Sequence, residues 1–144
     1  MTLEGRGFHI LLAEDDEDDS LLIRDAVAEA GIAGTVHIVG DGQAMLDYLR
    51  RSQKTGGDAA CPRPDLVILD LHMPRKTGVE ALAELRADRE ICHFPVVVLT
   101  TSRQPKDMAD CYDQGITSFI VKPDSYRALV DIVRNLASYW LGIG

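Results

Sequence analysis

The sequence predicts an α/β fold, a (βα)5 doubly wound sheet in which five parallel strands alternate with five helices. Five short apolar runs recur along the chain, segments with helical spacing separate them, and turn or cap residues mark the junctions. Each run is too short for a helix, and most are rich in β-branched residues, so buried strands suit them. Strict alternation then requires parallel strands, right-handed crossovers and helices on both sheet faces.

Ile10–Ala13 opens the series. The segment with Leu21, Leu22, Arg24, Asp25, Ala28 and Glu29 is the first helix, which Gly31 can close. Val36–Val39 is the second strand, and from Asp41 to Arg51 the residues Ala44, Met45, Tyr48 and Leu49 recur at three- and four-residue spacings, as in an amphipathic helix. Residues 52–64, with Gly56-Gly57 and Pro62-Arg63-Pro64, read as a surface loop insertion, the lesser alternative being a partner contact. Leu66–Leu69 is the third strand, and Val79, Leu82 and Leu85 mark a helix beginning near Thr77-Gly78. Val96–Leu99 follows, and Pro105 can start the next helix in its first turn, where a missing N–H is least harmful. Phe119–Val121 is the fifth strand, and the last helix spans about 124–141.

The 144 residues suit a single domain over 1–144, with no output domain expected after it. Net charge is −8, and the cations are scattered, so no basic stripe exists to displace counterions from nucleic acid or to hold an anionic membrane. Three cysteines without zinc-type spacing, no signal-like start and no run of about 18 apolar residues point to a cytoplasmic, reduced protein.

In open α/β sheets ligands bind beyond the carboxyl ends of the strands. The first strand runs into six successive acids, Glu14 to Asp19. A helix dipole favours acids in the first turn, which accounts for some of them but not for Glu14-Asp15 at the strand end itself. Asp70 directly follows Leu66–Leu69, where it could equally be a turn residue before Met73-Pro74. The fourth strand leads into Thr100-Thr101-Ser102, with Ser102 the better candidate to cap the following helix, and the fifth into Lys122-Pro123. Together these ends present carboxylates, a hydroxyl and an ammonium. Carboxylates form a hard oxygen site suited to Mg2+, which would shield a phosphoryl group under attack by a carboxylate oxygen.

Glu14-Asp15, Leu69-Asp70-Leu71-His72-Met73-Pro74, Leu99-Thr100-Thr101-Ser102 and Phe119-Ile120-Val121-Lys122-Pro123 resemble the receiver domains of two-component response regulators, across essentially the whole chain. The resemblance implies a flavodoxin-like strand order, 2-1-3-4-5. It implies that Asp70 accepts a phosphoryl group from a sensor histidine kinase. Mg2+, for which Mn2+ can substitute, is then held by Asp15, Asp70 and the backbone carbonyl of His72, with Glu14 acting through water. Lys122 pairs with the phosphorylated carboxylate, Thr100 moves to bond a phosphoryl oxygen, and Phe119, often Tyr in the family, turns inward. His72 and Ser102 stand at positions that tune phosphoryl lifetime. The Lys122–Pro123 bond is expected to be cis, a claim that rests on the family alone. The 52–64 insertion and the Tyr139-Trp140-Leu141 ending are similar to single-domain regulators that work with bacteriophytochromes.

The apolar residues of the last helix, Leu129, Val130, Ile132, Val133, Leu136, Tyr139, Trp140 and Leu141, exceed one narrow core stripe. They fit either packing on the sheet or a homodimer through the C-terminal helices, with Tyr139, Trp140 and Leu141 as its surface. A receiver standing alone acts through such a surface or passes its phosphoryl group to a downstream phosphotransfer protein, as a switch rather than an enzyme. Two rivals fit less well. A phosphatase with an aspartate nucleophile would carry a second Asp where His72 stands, and an FMN carrier needs a phosphate loop where this chain has six acids.

Overall fold

Continuous apolar runs make strands that can be buried on both faces, and the computed structural model, which describes residues 8–53 and 60–140, has such strands at its centre. The elements are β1 (Phe8–Ala13), α1 (Glu17–Glu29), β2 (Gly34–Val39), α2 (Gly42–Ser52), β3 (Leu66–Leu69), α3 (Gly78–Ala87), β4 (Val96–Thr100), α4 (Pro105–Asp113), β5 (Ser118–Val121) and α5 (Tyr126–Trp140). All pairings are parallel and the sheet order is β2-β1-β3-β4-β5, the doubly wound order expected. Every residue of β3 and β4 is buried, whereas the edge strands β2 and β5 are only partly covered.

Alternation along the central strands builds two cores. Leu11, Val67, Leu69, Val96 and Val98 face Met45, Leu46, Leu49, Leu82 and Leu85. Ile10, Leu12, Ile68, Val97 and Leu99 face Ile23, Val27, Leu129, Val130 and Val133. Most of the broad apolar stripe of α5 is therefore spent on its own sheet, with Leu136 also in that core.

Helix starts follow local chemistry. The Asp16, Asp41 and Thr77 side chains accept the N–H groups of Asp19, Ala44 and Glu80, and Glu80 reciprocates to Thr77 in a capping box. Gly31, with φ 77°, takes the left-handed turn after α1. α5 begins at Tyr126, slightly later than expected, because the Ser125 hydroxyl accepts the Ala128 N–H. α2 keeps Ser52, whose hydroxyl donates to the Leu49 carbonyl, so the loop starts after it. Gly56-Gly57 lie outside the described residues. The end of that loop, from residue 60, is held down: Cys61 and Pro64 are buried, and Tyr48 donates its hydroxyl to the Pro62 carbonyl at 2.8 Å. A surface insertion is thus an incomplete description of 52–64, because its end packs against α2.

Both sheet edges carry side-chain partners for outward backbone groups, which counters strand addition. Arg24 donates to the Val36 carbonyl on β2, and the Tyr112 hydroxyl accepts the Phe119 N–H on β5. Arg86 donates to the carbonyls of Cys92, Phe94, Gln114 and Gly115, tying the segments before β4 and β5 together. Among the described residues no helix is long and apolar enough to cross a membrane, and Cys61, Cys92 and Cys111 are free thiols.

Between β1 and β2, His9 Nδ1 and His37 Nε2 lie 2.9 Å apart, so one donates and the other accepts. Burial, then the charges of His9 and Arg24, hold the His37 pKa below its ordinary value. The unfolded chain takes up this proton near pH ~6.5 and the folded chain resists it, so this contribution to stability is lost as pH falls through that value. Urea unfolding at pH 7.5 and 5.5 checks this: His37→Gln should lose less stability than the wild type over that interval. Equal losses would show that His37 contributes nothing to the pH dependence.

Candidate functional site

The site residues sit one step beyond the strands but still on the hydrogen-bond ladder. Glu14 N–H donates to Val39 O at 3.0 Å, Asp70 N–H to Ala13 O at 3.0 Å, and Lys122 N–H to Thr100 O at 2.8 Å. Their Cα positions are thereby fixed by the sheet rather than by a loop. Asp70 and Glu14 are buried, at 5% and 3% exposure, whereas Asp15 is exposed.

The Lys122 ammonium fills the space between three carboxylates. It donates to Glu14 Oε2 at 2.7 Å, Asp19 Oδ2 at 2.8 Å and Asp70 Oδ2 at 3.2 Å. Burial alone would lower the lysine pKa, but the hydrogen bonds to Asp19 and Glu14 and the charge of Asp70 outweigh it, and the net shift is upward. Glu14 moves the other way from a normal carboxylate, pushed up to about 7 by burial and by repulsion from Asp70, against the lowering effect of Lys122.

Glu14, Asp15 and Asp70 each offer a carboxylate oxygen, and these oxygens lie within 4.8 Å of one another. An all-oxygen donor set at that spacing fits a hard divalent cation such as Mg2+ or Mn2+. The His72 N–H donates to Asp70 Oδ1 at 3.3 Å, which holds the β3–α3 turn against the carboxylate, and the His72 side chain is exposed.

Thr100 is fully buried, and its hydroxyl accepts the Ser102 N–H at 3.3 Å. Ser102 is buried but does not cap α4, as the sequence suggested. The N-cap is Gln104 without a side-chain bond, and Ser102 instead accepts the Gln104 N–H and donates to Asp107 Oδ2 at 2.6 Å. Phe119 is half-buried against the core under α2 and α3. No peptide bond among the described residues is cis, so Lys122–Pro123 is trans, contrary to expectation. Trans is the lower-energy isomer of an X–Pro bond by ~0.5–1 kcal/mol, and with it the Lys122 ammonium already reaches all three carboxylates.

Tyr139 lies away from this cluster, 78% exposed, on a groove of about 740 Å³ lined also by Ser118, Ile120, Ile132 and Leu136. Trp140 ends α5, and Leu141 lies outside the described residues.

Two residues escaped sequence reasoning. Asp19 looked like one more dipole-favoured acid of the first turn, and only its position on the inward side of α1 reveals its contact with Lys122. Gly78 looked like part of a helix start. A Cβ there would lie 2.4 Å from Asp70 O and 2.6 Å from Leu71 Cα, so only glycine lets α3 begin this close to Asp70.

A doubly wound domain with a buried aspartate, a cation-ready carboxylate set and a clamping lysine at the strand ends defines a class of phosphoryl-handling α/β switch domains. The pattern of the response regulator receiver domain matches residues 10–134, and the chain belongs to that family. It is 38% identical to a probable methanogenesis regulatory protein, FilR2 of Methanothrix harundinacea, over 94% of this chain and 84% of the relative. The phosphorylated cyanobacterial phytochrome response regulator RcpA superposes with a TM-score of 0.82 at 37% identity, covering 94% of each chain. The Mn2+-bound form of response regulator Rcp1, a Synechocystis protein, gives 0.80 at 33% identity, covering 95% of this chain and 96% of that one.

Gly78→Ala tests how the turn supports the site. The clashing atoms are backbone and cannot swing aside, so the variant should lose about 1–3 kcal/mol of stability and bind Mg2+ more weakly. Denaturant titration and calorimetry with Mg2+ measure the two effects; an unchanged protein would mean that the turn adjusts freely.

Proposed function

We propose that this receiver is a phosphorylation switch in which Asp70 is the phosphoacceptor. The observation that carries the reading is the buried Asp70 carboxylate, held between the acids Glu14 and Asp15 and the Lys122 ammonium. An Asp70 oxygen attacks the phosphorus of a phosphohistidine. The P–N bond breaks, its electron pair returns to the imidazole, and an acyl phosphate forms. Asp15, Asp70 and the His72 carbonyl, with Glu14 acting through water, would hold Mg2+ or Mn2+, which would supply neutralising charge for the phosphoryl oxygens. Lys122 and the Thr100 hydroxyl hold the product's oxygens, and Phe119 follows Thr100 inward. His72 and Ser102 set how readily water reaches the phosphoryl group. The protein then acts as a switch, not as a turnover enzyme.

The donor is a sensor histidine kinase in the cytoplasm. Likeness over nearly the full length to RcpA supports a bacteriophytochrome as that kinase, while FilR2, a relative of similar identity, is a probable methanogenesis regulatory protein. Leu21 and Leu22, 44% and 45% exposed on α1, offer such a partner apolar contact beside the site. Output passes to a phosphotransfer protein or through a homodimer on the C-terminal helices. The exposed Tyr139 and its groove support the homodimer.

Acetyl phosphate with Mg2+ should label the protein once, and both Asp70→Asn and chelation of the metal should abolish labelling. Equal labelling of Asp70→Asn would sink the assignment. Light scattering should find a dimer with beryllofluoride and Mg2+ that Tyr139→Asp shifts to monomer, and a wild-type monomer under all conditions would remove the dimer.

A further inference from the structure

We propose that Asp19 is a positioning residue that holds Lys122 in reserve, yielding it to the phosphoryl group and taking it back when that group leaves. The inference rests on Asp70 being the phosphoacceptor.

A lysine ammonium has three N–H donors and no acceptor. Here all three are used, on Glu14, Asp19 and Asp70. A phosphoryl oxygen can therefore be gripped only if one acceptor lets go. The three are unequal. The Glu14 side chain is 1% exposed and the Asp70 side chain 6%, so an oxygen that lost the ammonium there would find no water to replace it. The Asp19 side chain is 39% exposed and can return to water at little loss. Asp19 also comes from α1, while Glu14, Asp70 and Lys122 are tied to the sheet ladder. Its contact with Lys122 is as short as Glu14's, at 2.8 Å against 2.7 Å, while Asp70 is held more loosely at 3.2 Å.

The geometry makes Asp19 a competitor of the phosphoryl group. While Asp70 is unmodified, the exposed carboxylate keeps the ammonium fully bonded. Once an incoming anion offers a better acceptor, the Asp19 bond is the one exchanged. A small recess of about 70 Å³ beside the pair, lined by Asp19, Leu22, Lys122 and Pro123, leaves room for that exchange at the surface.

The test compares Asp19→Asn with Asp18→Asn, which removes the same charge from the exposed side of the same helix turn. Amide spectra are followed while beryllofluoride is titrated in saturating Mg2+, and thermal melts confirm folding. Asp19→Asn should bind beryllofluoride about three- to tenfold more tightly than the wild type, with Asp18→Asn close to wild type. In metal-free protein the side-chain nitrogen signal of Lys122 should move in Asp19→Asn only. Equal affinities for the two variants, or a Lys122 signal indifferent to Asp19, would overturn the inference while leaving Asp70 as phosphoacceptor. Failure of the underlying reading looks different: no variant and no wild type would respond to beryllofluoride, and the role of Asp19 would fall with it.

Discussion

Buried carboxylates gathered at the ends of β1 and β3 repel one another, and Lys122 is the described cation that bonds them. Glu14 and Asp70 bring oxygens to within 4.8 Å, where two full charges repel by about 3.5 kcal/mol at an effective dielectric of ~20. Neither can move apart, since the backbone N–H of each is on the sheet ladder. The elevated Glu14 pKa, near 7, and the raised Lys122 pKa are two consequences of that confinement. A divalent cation at Glu14, Asp15 and Asp70 would relieve the same repulsion.

The confinement needs a rigid frame. Parallel strands buried on both faces supply it, because a strand that cannot slide without exposing one of two cores cannot relax its terminal residue either. Close approach at Gly78 and the His72 N–H bond to Asp70 bring the β3–α3 turn up to the carboxylate. Sheet, turn and lysine thus position Asp70 from three directions.

The sequence made the strands legible because their apolar runs are continuous, and the helices because apolar residues recur at three- and four-residue spacings, with Gly31 and Pro105 marking an end and a start. The carboxylates, Thr100 and Lys122 were legible because a parallel sheet forces strand ends to one rim. Other features depended on contacts distant in sequence. Asp19 meets Lys122 across 103 positions, and nothing local distinguishes it from Asp18. Ser102 looked like a cap because it precedes Pro105, but the N-cap position falls on Gln104, and the Ser102 hydroxyl accepts the Gln104 N–H while donating to Asp107. The packed end of the 52–64 loop turns on the Tyr48 hydroxyl, a partner that loop composition cannot reveal.

Helix α4 is bonded at both ends to the residues that flank the site. At its start, Thr100 accepts the Ser102 N–H and Ser102 donates to Asp107. At its end, Tyr112 accepts the N–H of Phe119. The two ties lie on opposite ends of the same helix. Phe119 lacks a phenol of its own, so the hydroxyl linking β5 to α4 is supplied from the helix instead of the strand. Both ends of α4 are thus tied by hydrogen bonds to residues next to the site, beside the edge strand β5 that lines the exposed groove.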